Sequence, residues 1–95
     1  MDDVRFYLDP TTGQPHIYEH GVDETEVLEV LSSPVEDGPG RDDAFVAIGR
    51  TWRGRILKII YVIDDDRDGI FVVTAYALTG KPLAAFRRRE RKRNR

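Results

Sequence analysis

Three runs rich in branched and aromatic residues follow one another in the second half of the chain. They are Ala44-Phe-Val-Ala-Ile-Gly-Arg50, Arg55-Ile-Leu-Lys-Ile-Ile-Tyr-Val-Ile63 and Ile70-Phe-Val-Val-Thr-Ala-Tyr-Ala77. Side chains of this kind suit the pleated, half-buried surface of a sheet. The connections between them, Thr51-Trp-Arg-Gly54 and Asp64-Asp-Asp-Arg-Asp-Gly69, are too short for a parallel crossover. The three runs are therefore expected to form an antiparallel meander, and whatever else the chain builds must pack on it.

The remaining segments supply two helices and short connections. Residues 4–8 are β-prone, and Asp9-Pro-Thr-Thr-Gly-Gln-Pro15 carries turn chemistry, so residues 16–18 are expected as a short return strand. Asp23-Glu-Thr-Glu26 reads as a capping box at a helix start, with Val27, Val30 and Leu31 on one stripe. Ser32-Ser33-Pro34 ends that helix, and residues 35–43 read as a polar loop. Thr79-Gly80-Lys81-Pro82 opens a second helix, anchored by Leu83, Ala84 and Phe86. The expected fold is α+β: an antiparallel sheet of three to four strands, an N-terminal helix and a C-terminal Arg-rich helix. With 95 residues, positions 1–95 make one domain. Along the third run the period of two groups Phe71, Val73, Ala75 and Ala77 on one side, against Ile70, Val72, Thr74 and Tyr76. The side bearing Lys58, or that bearing Thr74 and Tyr76, is expected to face solvent.

Charge is distributed unevenly. Residues 1–43 hold two basic and twelve acidic side chains, whereas residues 44–95 hold thirteen basic and five acidic ones. The basic half attracts phosphate at long range. Arg87, Arg88, Arg89, Arg91, Lys92 and Arg93 crowd the C-terminal stretch 87–95. At 100° per residue they surround a helix with charge, so the part beyond Phe86 is expected to fray until a polyanion orders it. The opposite-sign halves also suit a homo-oligomer. Lack of cysteine excludes disulfides, thiolate nucleophiles and Cys-ligated metals. The start has no signal-peptide pattern and no apolar run could span a bilayer, so a cytoplasmic protein with no membrane partner is expected.

Several motifs have weak chemical readings. His16-Ile-Tyr-Glu-His20 matches a zinc-protease pattern, which requires both histidines on one face of a long helix plus a distant third ligand. Pro15 before it and Gly21 after it oppose such a helix, so no metal and no cofactor are expected. Gly38-Pro-Gly40 lacks a phosphate-loop context, Ser32 and Ser33 have no companion base, and the 64–68 aspartates read as a solvated hairpin tip. Arg50, Trp52, Arg53 and Arg55 cluster at the other hairpin tip, where guanidinium groups and an indole can grip phosphate and stack a base. The alternative there is an indole that caps the end of the core.

His20-Gly-Val22 ahead of an acidic helix, Phe45-Val-Ala-Ile-Gly-Arg50, Gly54-Arg55, and Val72-Val-Thr-Ala75 ahead of an Arg-rich helix together resemble the BrnT-like toxins of the RelE/ParE superfamily, or an uncharacterised sibling family. The resemblance spans roughly residues 16–91. It implies a RelE-like fold and a metal-independent endoribonuclease of a type II toxin–antitoxin pair, acting on mRNA or the ribosome and bound by an antitoxin-like protein. The chain departs from the pattern at Glu19 in place of lysine, Tyr76 in place of arginine, and Pro82 and Phe86 in place of glutamate and tyrosine. A non-catalytic nucleic-acid- or protein-binding module on the same fold is the alternative.

Metal-free RNA cleavage needs a base for the 2′-OH proton, cations for the developing phosphorane charge and an acid for the leaving oxygen. In this chain the candidates are His20 and Tyr76 for proton transfer, with Arg50 and Lys58 as charge stabilisers. Trp52, Arg53 and Arg55, with the basic residues of 87–93, are the candidate nucleic-acid contacts.

Overall fold

The computed structural model describes residues 3–66 and 68–94. Arg67, in the expected 64–69 turn, and Arg95, last in the expected basic tail, lie outside the described residues together with Met1 and Asp2. In chain order the elements are β1 (Asp3–Phe6), a 3-10 helix (His16–His20), α1 (Glu24–Ser32), β2 (Glu36–Pro39), β3 (Phe45–Arg50), β4 (Ile56–Asp64), β5 (Gly69–Ala77) and α2 (Gly80–Arg93). The fold is α+β.

The meander forms as its short turns require, with β3–β4 and β4–β5 antiparallel. The sheet is larger than expected, however: five strands in the order β1-β5-β4-β3-β2. β1 pairs parallel to β5, which makes the sheet mixed. This pairing needs Gly69, where a Cβ would stand 2.1 Å from the Asp3 carbonyl oxygen. At the opposite edge, Glu36–Pro39 pairs antiparallel with β3, so part of the expected 35–43 loop is strand. Nothing in Glu-Asp-Gly-Pro favours a strand locally. Its side chains are instead held from afar, Glu36 by Arg89 and Asp37 by the Tyr61 hydroxyl.

The segment after Pro15 is also corrected. Residues 16–18 form no return strand; they open the 3-10 helix, in which the Tyr18 N–H donates to the Pro15 carbonyl at 3.0 Å. Gly21, at φ 69°, closes it in the left-handed region. The capping box of α1 forms as expected: the Glu26 N–H donates to Asp23 Oδ1 at 2.8 Å, and the Asp23 N–H to Glu26 Oε1 at 3.2 Å.

Two apolar layers flank the sheet. On one side Ala47, Leu57, Ile59, Tyr61, Val72 and Ala75 pack with Ile17, Val22, Val27 and Val30 of the 3-10 helix and α1 region. Gly49 lets α1 come this close, since a Cβ there would meet Val30 Cγ1 at 3.1 Å. On the other side Ile48, Ile56, Leu78 and Phe86 cluster, with Val46, Tyr76 and Leu83 against them. A register shift between Ile60 and Tyr61 pairs Ile60 with Thr74 and Tyr61 with Val72, leaving Val73 as the extra residue. That bulge overturns the simple alternation on β5: Val72 joins Ala75 in the core, while Val73 is exposed. Lys58 lies opposite Tyr76, so the two sides expected to face solvent are one side, and α2 covers part of it.

α2 remains helical through Arg93. The expected fraying beyond Phe86 is opposed by ion pairs on its inner side. Glu36 receives Arg89 and Arg93, and Glu90 receives Arg50.

Candidate functional site

β1 runs out at Phe6, and the Tyr7 N–H makes a last bond to the Val72 carbonyl. The 3-10 helix then packs on β5, which carries His20 to Tyr76. Their ring centroids are 6.0 Å apart at an interplanar angle of 65°, and His16 lies edge-on to His20 at 5.2 Å. Lys58 is the cross-strand partner of Tyr76. Thus three of the four residues assigned to RNA chemistry lie near one another in the fold, His20 and Tyr76 in ring contact and Lys58 across from Tyr76 on β4.

Arg50 lies on the same side but is otherwise engaged. Its Nη2 donates to Glu90 Oε1 at 2.6 Å and its Nη1 to Glu90 Oε2, and its guanidinium lies 5.8 Å from the centroid of the Phe86 ring. Arg50 holds the Glu90 carboxyl below the usual glutamate range, and Glu90 in turn raises the guanidinium. The same logic holds at Glu36, lowered chiefly by Arg89, whose Nε and Nη2 donate at 2.8 and 3.0 Å. Arg93 Nη1 also donates to the Val35 carbonyl at 3.0 Å.

These contacts sort the charges of α2 by face. Phe86, Arg89, Glu90 and Arg93 point inward, where the arginines are neutralised. Lys81, Arg87, Arg88, Arg91 and Lys92 are exposed and, among the described residues, make no ion pair. At 100° per residue they share the outward side, a stripe of uncompensated positive charge.

The β3–β4 hairpin tip has different surroundings. Trp52 is 85% exposed, which removes the reading of it as a cap on the core. Its backbone N–H donates to Glu29 Oε1 at 3.0 Å. Arg55 is committed to Glu26, at 2.7 Å, and to the Gly21 carbonyl, at 2.9 Å. Arg53 lines a hollow with Asp23, Glu26 and Glu29. Trp52, Arg53 and Arg55 therefore sit among the carboxylates of α1, surroundings that repel phosphate.

Two features escaped the sequence reading. The neutralising role of Glu90 was visible only as a lone acid in a run of arginines. A second group, Asp9, His16 and Glu19, brings three ligand-type atoms within 4.8 Å of one another. No helix among the described residues is long and apolar enough to cross a membrane. Comparison with protein-family models, curated proteins and solved structures gave no match.

Proposed function

We propose that the protein binds RNA along the outward side of α2 and cleaves it at the His20–Tyr76–Lys58 cluster, as the toxin of a type II pair on a RelE-like frame. The observation that carries the reading is the segregation of charge on α2. Inward arginines are paired, whereas Lys81, Arg87, Arg88, Arg91 and Lys92 are left outward and unpaired among the described residues. Cations that serve only the fold need no such surplus, and a polyanion with regular charge spacing is its natural partner.

RNA rather than DNA is favoured by the cluster beside it. A histidine and a tyrosine in ring contact, with a lysine across from the tyrosine on the neighbouring strand, provide groups to move the 2′-OH proton and to offset phosphorane charge. An antitoxin-like partner fits the same basic surface, since an acidic segment would occupy it in place of RNA.

The test separates binding from chemistry. Labelled RNA incubated with the purified chain, with and without chelator, is expected to be cut in both cases. His20→Ala and Tyr76→Phe each reduce the rate by about a hundredfold or more. Replacement of Arg87, Arg88, Arg91 and Lys92 by glutamine should flatten log K against log salt by roughly 0.7 per lost contact. Binding without cleavage would leave the second reading, a non-catalytic RNA module, which the engagement of Arg50 by Glu90 favours. A salt slope unchanged in the glutamine variant would remove both. Induced expression without a partner should arrest growth if the toxin reading holds.

A further inference from the structure

We propose that Asp9, His16 and Glu19 form a binding site for a divalent transition-metal ion, with Zn²⁺ the ion to test first. The site goes beyond the RNA reading and does not depend on it. His16 Nδ1 lies 3.6 Å from Asp9 Oδ2 and 3.6 Å from Glu19 Oε2. Donors bound to zinc at about 2.0–2.2 Å stand roughly 3–3.5 Å from each other, so the spacing needs only a small contraction around an ion.

The backbone itself builds this arrangement. Three residues per turn stack His16 and Glu19 on one side of the 3-10 helix. Asp9 is brought to them by the closed 9–15 loop. Its N–H donates to the Gln14 carbonyl at 2.8 Å, its carbonyl accepts from Gly13 at 2.7 Å, and the His16 N–H donates to the Tyr7 carbonyl at 2.9 Å. The Thr11 N–H occupies Asp9 Oδ1, which leaves Oδ2 toward the imidazole.

The donor chemistry fits the ion class. One imidazole and two carboxylates, without thiolate, suit borderline divalent ions such as Zn²⁺ and Mn²⁺. Two carboxylates beside one imidazole nitrogen concentrate negative charge. The Asp9 side chain is 13% exposed and that of Glu19 51%, so the pocket has a sheltered floor and an open side for water ligands. This set differs from the His16–His20 pair of the zinc-protease pattern, because His20 lies edge-on to His16 and outside the group.

Titration calorimetry of the tag-free full chain with Zn²⁺ alone tests the proposal. The expected result is one ion per chain, with affinity reduced at least about tenfold by His16→Ala, Asp9→Asn and Glu19→Gln, and changed less than about threefold by His20→Ala. Circular dichroism establishes that each variant is folded, and Zn²⁺ should raise the melting temperature of the parent chain but not of Asp9→Asn. The proposal is overturned if the parent chain shows no stoichiometric binding, if the carboxylate variants bind like the parent, or if His20→Ala loses binding as fully as His16→Ala.

Discussion

Arg50 at the end of β3 and Glu90 in the third turn of α2, forty residues apart, meet as a two-pronged ion pair. Through it the C-terminal half of α2 is fastened to the sheet at a position where the helix contributes no apolar side chain. Arg50→Ala is expected to destabilise the fold by about 1 kcal/mol or less, since the guanidinium is well exposed. The larger effect should be local. Amide exchange in residues 88–94 should speed up while β4 and β5 keep their protection, a pattern that hydrogen-exchange mass spectrometry would detect.

Acid should loosen the same region first. Glu36 and Glu90 have folded-state pKa values below the ordinary glutamate value of 4.5 because arginines hold their charged forms. Their contribution is therefore complete above about pH 4.5 and is lost as pH falls through the lower folded values. Melting temperatures from pH 6 to pH 3 should fall, and Glu36→Gln should flatten that fall. An equal fall in the variant would contradict the assignment.

Alkali acts at a different place. Burial, then the bond from its hydroxyl to Asp37 Oδ1 at 2.7 Å, pushes Tyr61 up to about 12. A raised pKa means that stability from neutral Tyr61 is intact below about pH 10 and is lost as pH rises through the folded value. Spectrophotometric titration should show a late phenolate step that vanishes in Tyr61→Phe.

Two aromatic truncations should differ sharply. Phe86 is fully buried and Trp52 is 85% exposed. Phe86→Ala should cost about 3–5 kcal/mol in urea denaturation and release α2, whereas Trp52→Ala should stay within about 0.5 kcal/mol. A comparable loss at Trp52 would mean that the indole is packed.

What the sequence disclosed was local. The α1 cap and the antiparallel pairing of the meander depend on residues close to one another in the chain, and both formed as read. β1, β2 and the Val73 bulge depend on partners far along the chain. Residues 4–8 read as β-prone but nothing in them names β5 as their partner, Glu36 carries no mark of a strand, and an extra residue in β5 is invisible until β4 is aligned with it. His20, Tyr76 and Lys58 were singled out by residue chemistry, and the structure adds only that the first two are in ring contact and that Lys58 lies across from Tyr76. The engagement of Arg50 was hidden because no spacing rule links it to Glu90, and Arg55 was hidden for the same reason with respect to Glu26.

β1 has a single sheet neighbour, β5, and Asp3 is aligned with Gly69. Of the five strands of the sheet, β1 is synthesised before the others and is consequently the last that can be seated. It has no mate until residues 69–72 exist and have themselves turned back on β4. Closing so long a loop adds only a modest entropic cost, which rises with the logarithm of its length, but it delays the step. Until then the β5 edge from Gly69 to Val72 is an unguarded template for another chain. β1 thus serves as a late cover on the sheet, and the β5 edge stays open between the completion of the meander and the seating of that strand.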